Sequence, residues 1–328
     1  MKRRNFLSLS TMAVATVVTS PMIAAPTDPK LKMPSPGTVH IGGSKRIQIG
    51  QGHWVWTKKV GSGEIKVLLV HGGPGADHRY FECFEDFLPL NGIEFYYYDQ
   101  LDSTNSDKPN DPKLWTIERY TEEVEAVRQG LGLEQFYMLG HSWGGVLAIE
   151  YALKYQQHLK GLVISNMAAS SDSFLYHVSK IRAQFPESDR AELERYENAN
   201  ETEDPAYQKL LLNKLYKVFI CRLDPWPDPV SRSLDGWNQH VYNAIQGRNE
   251  FEVTGTMKGW DRLADLHKIK VHSLTIGARY DEMDPEDMRK MATLMPRGQS
   301  WISETGSHFA MYDDQQNYFN AVLKFLKA

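Results

Sequence analysis

Cysteine is nearly absent from this chain: Cys83 and Cys221 are its only two. Two thiols cannot build a disulfide framework or a cysteine-ligated zinc site. No H-E-x-x-H stretch is present, which removes the common helix-borne zinc hydrolases, and no metal or other cofactor is expected. No extended Lys/Arg-rich block appears and the formal net charge is −4, so nucleic acid is not an expected partner. Repeats of fixed period and low-complexity tracts are also missing, which excludes solenoids and disordered arrays.

What remains is ordinary for a soluble globular protein: 328 residues, 41% hydrophobic and 24% charged. That length suits one large domain with an insertion, or two domains. Residues 1–25 read as an export signal. Lys2-Arg3-Arg4 is a basic region, Phe6 to about Ile23 is mostly apolar or small, and Ala24-Ala25 offers small residues for cleavage. The serines and threonines in the run, and Pro21, make it a poor membrane span, so no stable anchor is expected after cleavage. Arg3-Arg4-Asn5-Phe6-Leu7 resembles a twin-arginine address, which places the mature protein in a bacterial periplasm or envelope. Cleavage would take away three cations and no acid, moving the formal net charge from −4 to −7.

Four prolines mark residues 26–37 as a linker. Strands are expected near Thr38–Ile41 and His53–Val60, then at Lys66–Val70, Ile93–Tyr98, Phe136–Leu139 and Gly161–Ser165. Thr116 is placed to cap a helix that runs to Gln129 and stops at Gly130, although Arg119 stands where a capping box wants an acid. Short apolar runs alternating with helical stretches argue for a mostly parallel sheet with helices on both faces. The rhythm breaks over 168–257, where charged and aromatic residues mix at helical spacing. That segment reads as a helical cap inserted into a core of 38–167 and 258–328. The rhythm resumes with a strand at Val271–Ile276, a helix near Pro285–Leu294, a strand near Gln299–Ser303 and a last helix from Gln315 to Leu326.

The chain is organised around Gly140-His141-Ser142-Trp143-Gly144-Gly145. G-x-S-x-G between a buried strand and a helix of good formers places a serine on a strained turn, where glycines two residues away avoid collision. The hydroxyl then lies near the positive end of a helix. Serine needs a base, and the base needs a group to hold its tautomer. In the α/β-hydrolase arrangement the chain order is Ser, then Asp or Glu, then His. Asp281 follows the strand begun at Val271, and His308 follows the strand begun at Gln299; these complete a triad of Ser142, Asp281 and His308. The oxyanion needs two backbone N–H groups. One is expected from Trp143 and the other from His71-Gly72-Gly73-Pro74-Gly75, with Gly73 preferred and Gly72 second. Pro74 has no N–H to give.

Taken with Tyr98-Asp99-Gln100, Gly277-Ala278-Arg279-Tyr280-Asp281-Glu282 and Gly306-Ser307-His308, these motifs resemble the prolyl aminopeptidases, or proline iminopeptidases, including the tricorn-interacting aminopeptidases. The likeness spans roughly residues 38–328. It implies a serine exopeptidase that removes an N-terminal residue, often proline, from a short peptide or amino-acid amide. It also implies that Glu250 and Glu282 bind the substrate's free α-amine, with Glu252 as a nearby fallback. The loop after Asp99-Gln100 departs from the family's glycine-rich pattern, and Asp102 adds an acid expected near the site entrance.

The competing reading is an esterase, amidase or lactonase on the same triad, since one scaffold hosts many activities. The amine-binding acids separate the two. Trp226 and Trp237 are candidates for an apolar pocket that takes a proline ring. Neither the oligomeric state nor pairing of Cys83 with Cys221 can be read from the sequence.

Overall fold

The computed structural model describes residues 41–328, so the expected signal segment, the linker and most of the first expected strand lie outside the described residues. The described chain is built on one eight-stranded sheet: β1 (Ser44–Gln48), β2 (Trp54–Val60), β3 (Ile65–Val70), β4 (Ile93–Asp99), β5 (Phe136–His141), β6 (Leu159–Ser165), β7 (His272–Tyr280) and β8 (Gly298–Ser307). Their spatial order is β1-β2-β4-β3-β5-β6-β7-β8. Strands β1, β2 and β4 pair antiparallel, and every pairing from β4 through β3 to β8 is parallel.

Period-two geometry explains why the central strands are apolar runs. Leu68 and Val70 face one layer, while Val67 and Leu69 face the other. The first layer is completed by α1 (Ile117–Leu131), through Val124 and Val127, and by α2 (Trp143–Tyr155), through Val146 and Ile149. Farther along the chain, α8 (Pro285–Leu294) adds Met288 and Met291 to it. The opposite layer holds Phe81 and Phe84 and, from α10 (Gln315–Leu326), Phe319, Val322 and Phe325. A four-residue helix, α9 (Ala310–Asp313), precedes α10.

The first described strand, Ser44–Gln48, is not among those expected and pairs Ile47 with Val55 of β2. Two boundaries differ from expectation. Helix α1 passes through Gly130 and stops at Gly132, which takes the left-handed conformation. Gly130 is needed for another reason: a Cβ there would collide with Ile47, so it marks where α1 packs against β1. Strands β7 and β8 run longer than their apolar runs, so Asp281 and His308 directly follow strand ends.

Between β6 and β7 the chain leaves the sheet. It forms α3 (Ser171–Ala183), α4 (Glu187–Asn198), α5 (Pro205–Leu211), a π-helical stretch Leu212–Ile220, α6 (Asp228–Asp235) and α7 (Gln239–Ile245). Part of this segment has a small core of its own around Leu193, Tyr196, Tyr207 and Leu211. It is tied to the sheet's carboxyl edge where His308 N–H donates to Phe219 O at 2.9 Å and Phe309 N–H to Ile220 O at 2.8 Å.

Candidate active site

The turn from β5 into α2 is as sharp as its glycines suggest. Ser142 sits at φ 55, ψ −129, a conformation costly for a residue with a side chain. It survives because neighbours pass too close for any Cβ: one on Gly140 would overlap Gly144 O, and one on Gly144 would overlap Val70 O. The strand, turn and helix therefore lock together only with glycine at both places. The start of α2 leaves the Trp143 N–H without an intrahelical acceptor.

His308 and Asp281 arrive from the ends of β8 and β7. His308 Nδ1–H donates to Asp281 Oδ1 at 2.9 Å, which leaves Nε2 to accept a proton. Asp281 also accepts Met283 N–H at 3.1 Å and Asn166 Nδ2–H at 2.6 Å. Ser142 and His308 line the same cavity, without a hydrogen bond between them. Such bonds are often long until substrate is bound. A hydroxyl, an imidazole and a buried carboxylate in this order can carry out acyl transfer.

Beside Ser142 lies the loop after β3. Gly72 N–H is already committed to the Tyr80 hydroxyl at 2.5 Å, which separates it from Gly73, whose left-handed φ of 115 turns the next step of the loop into the cavity wall. His71 braces the base of this loop. Its Nδ1–H donates to Gly72 O at 2.9 Å, and its Nε2 accepts Gln100 N–H at 3.0 Å. Burial keeps the His71 pKa below its ordinary value. The Gln100 side chain donates from Nε2 to His71 O at 2.7 Å and accepts Trp143 Nε1–H at 2.9 Å, so one amide ties this loop to the first residue of α2.

The cavity has a volume of about 600 Å³. Its floor holds Ser142 and His308, with Glu250 and Glu282 beside them; apolar walls come from Tyr216, Ile220, Trp226, Leu234 and Trp237. Both glutamates are buried, and among the described residues neither has a Lys or Arg within ion-pairing distance. Glu250 Oε1 accepts the Tyr242 hydroxyl at 2.6 Å, while Glu282 Oε2 has no hydrogen-bond partner among the described residues. Burial pushes the Glu250 carboxyl above the usual range. Burial, then the charges of Glu250 and Asp281, push Glu282 well above it. Such a pair is short of one positive charge.

Comparison with known proteins places this geometry. Residues 66–315 match the family model of the alpha/beta hydrolase fold. A proline iminopeptidase of Flavobacterium johnsoniae is 45% identical over 276 residues, covering 83% of this chain and 93% of that protein. One from Saccharolobus solfataricus is 33% identical, covering 79% and 84%. The chain belongs to the proline iminopeptidase family of α/β hydrolases. Among solved structures, the proline iminopeptidase of Mycobacterium smegmatis superposes with a TM-score of 0.79 at 28% identity, over 87% of this chain and 97% of that one. VinJ does so at 0.82 and 27%, over 87% and 98%. An Exiguobacterium antarcticum esterase, at 0.64 and 18%, shares the fold alone.

Two expectations about this family member's site are corrected by the structure. Asp102 does not stand at the entrance. It is fully buried, accepting Trp115 Nε1–H at 2.8 Å and Asn110 N–H at 2.9 Å, and it holds the 100–110 loop together. The fallback Glu252 pairs with Arg248 at 2.8 Å and does not line the cavity. Cys83 and Cys221 are both free and buried. Burial raises both thiols, Cys221 to about 12, so neither supplies a thiolate. Gln100 belongs to a motif that carries the resemblance, but its tie to Trp143 is not legible there. Asn166, Tyr242 and Tyr216 are not among the expected site residues, and only Asn166 carries a signal, lying just past the carboxyl end of a buried strand.

Proposed function

We propose that this chain is a serine aminopeptidase that releases an N-terminal residue, preferentially proline, from short peptides or amino-acid amides. The observation that carries the reading is the pair of buried, cation-free carboxylates Glu250 and Glu282 in the cavity that holds Ser142. A free N-terminus supplies the missing charge, with a reference pKa of about 7.7–8.0. Held by two acids, it can extend only about one residue before the scissile carbonyl reaches Ser142.

The steps follow from the residues. Ser142 Oγ attacks the carbonyl carbon as His308 Nε2 takes its proton, and Asp281 holds the resulting imidazolium. The Gly73 and Trp143 N–H groups receive the negative oxygen. Collapse breaks the C–N bond, and the proton on Nε2 goes to the departing amine. A water molecule then attacks the ester, giving its proton to Nε2; the C–Oγ bond breaks, the Nε2 proton returns to Ser142 Oγ, and the free amino acid leaves. The helical segment over 168–257 acts as the cap that closes this chemistry from water. Trp226 and Trp237, on the cavity wall, provide apolar surface for substrate side chains.

Turnover of proline β-naphthylamide, its N-acetylated form and a simple acyl ester tests this reading. Efficient cleavage of the free-amine substrate and poor cleavage of the acetylated one is expected. Equal cleavage of both would replace the reading with an esterase or amidase. We further propose export through residues 1–25, on the basic, apolar, small-residue order of that stretch. N-terminal sequencing of protein recovered from a native envelope should begin near Pro26; an intact Met1 would refute export.

A further inference from the structure

Two buried side chains that the steps above do not use join the oxyanion loop to His308. The Tyr80 hydroxyl accepts Gly72 N–H at 2.5 Å. His141 Nδ1 lies 3.2 Å from that hydroxyl, and His141 Nε2 lies 2.9 Å from the His308 carbonyl oxygen. The direction of each bond follows from chemistry. A carbonyl only accepts, so His141 Nε2 carries the hydrogen. In a neutral ring Nδ1 is then bare and must accept, which orients the Tyr80 O–H toward it. The Tyr80 oxygen is left to receive Gly72 N–H. Burial, reinforced by His308, holds the His141 pKa well below its ordinary value, which agrees with a neutral ring.

We propose that Tyr80 and His141 are positioning residues, and that the chain from Gly72 through Tyr80 and His141 to His308 keeps the oxyanion loop and the catalytic imidazole in one register. The proposal rests on the roles given to Ser142 and His308, but not on proline as the substrate. Both ends of the chain sit where small shifts matter. A Cβ on Gly72 would lie 2.7 Å from Ser142 Cβ, so the loop is pressed onto the nucleophile and any movement carries Gly73 N–H with it. At the other end, His308 N–H is held by Phe219 O, and its carbonyl is held by His141, the residue next to Ser142 in sequence. Aromatic packing accounts for the burial of Tyr80 and His141 against Phe309, with centroids 5.2 and 5.4 Å away. Packing alone does not explain a hydroxyl and an imidazole whose polar atoms are all spent on each other and on the backbone of Gly72 and His308.

The test compares Tyr80→Phe, His141→Leu and His141→Gln on proline β-naphthylamide and on p-nitrophenyl acetate, with melting temperature measured alongside. Tyr80→Phe removes one oxygen and keeps the ring. Its kcat should fall about tenfold on both substrates with KM little changed, because the register loss affects the transition state. His141→Leu should lose as much or more. His141→Gln should recover to within about threefold of the wild type, since its amide can donate to His308 O and accept from Tyr80. Unchanged kcat in Tyr80→Phe, losses that appear only in KM, or a His141→Gln variant as damaged as His141→Leu would each overturn the proposal. The wild-type protein offers an independent check by ¹⁵N NMR. His141 should remain the neutral Nε2–H tautomer from pH 5 to 8; an Nδ1–H tautomer or an imidazolium in that range would refute the chain. If the ester is cleaved and the proline substrate is not, the substrate reading has failed and the ester kinetics still decide this proposal.

Discussion

The sheet edge and the helical segment above it contribute to the same cavity in different ways. The edge delivers Ser142, Asp281 and His308 from β5, β7 and β8, each at a strand end and each braced by backbone or buried side chains. The segment between β6 and β7 delivers Glu250, Tyr242, Tyr216 and much of the apolar wall from short helices and turns, and Glu282 joins Glu250 from the turn after Asp281. The edge carries groups that any acyl transfer needs. In the proposed function, the overlying segment carries groups that choose the molecule to be cut. Substitutions of Ser142, Asp281 or His308 should therefore damage every substrate alike, whereas substitutions in the overlying segment, or at Glu282 beside Glu250, should separate one substrate from another.

The sharpest way to break that contrast is at the edge. Ser142→Ala should reduce turnover of both the free-amine substrate and a neutral ester by several powers of ten, with the fold retained. His308→Ala should be nearly as severe, and the double variant little worse than either, because the two act as a unit. Steady-state kinetics on both substrates checks this. Additive losses in the double variant would mean that Ser142 and His308 do not share a proton-transfer role.

Next in size are the two acids. Glu282→Gln and Glu250→Gln should each lower kcat/KM for free-amine substrates by about tenfold or more, at least roughly 1.4 kcal/mol. The ester should change far less, since Ser142, Gly73 and Trp143 are untouched. Equal losses on both substrates would erase the contrast between the regions. A smaller effect is expected from Tyr242→Phe, which removes the hydroxyl donating to Glu250. Without it, the Glu250 carboxyl favours its protonated form and meets the ammonium less well. Amine substrates should lose about fivefold in kcat/KM, near 1 kcal/mol, and the ester almost nothing.

The same contrast explains what could be seen in the sequence. The turn at Ser142 is legible because its constraint is local: strand, two glycines and helix lie within a few residues of one another. Asp281 and His308 are legible because buried apolar runs announce strand ends, and in a parallel sheet these ends share one edge. The unbroken apolar run Val67-Leu68-Leu69-Val70 marks a sheet covered on both faces. The overlying segment offered no such rule. Tyr242 meets Glu250 through a helix of seven residues, too short for a periodic pattern to register. Tyr80 meets His141 across 61 positions, and His141 meets the His308 backbone across 167. Gly130 misled because a glycine required by packing on Ile47 looks in sequence like a helix stop. Asp102 misled because an acid in a polar loop looks exposed, whereas Trp115 and Asn110 bury and satisfy it.

The smallest effect tests the charge balance of the cavity without any substrate. Burial and the neighbouring charges of Glu250 and Asp281 hold the folded-state pKa of Glu282 well above its ordinary value. In the unfolded chain the same carboxyl titrates near about 4.3. Between those two pKa values the folded protein keeps a proton that the unfolded chain has lost, so unfolding releases a proton. Stability contributed by this group is therefore fully present below the unfolded pKa and declines as pH rises toward the folded one, by at most about 1.4 kcal/mol per pH unit. Glu282→Gln removes the titration and leaves a neutral side chain of nearly the same shape. Melting curves from pH 5 to pH 8 should show the wild type losing more stability than the variant, and the variant melting higher at pH 8. A cationic amine ligand, which favours the ionised carboxylates, should narrow the gap by stabilising the wild type more than the variant. Parallel curves for the two proteins would mean that Glu282 is already ionised without a ligand, and the deficit of positive charge around Glu250 and Glu282 would have to be met by some other group.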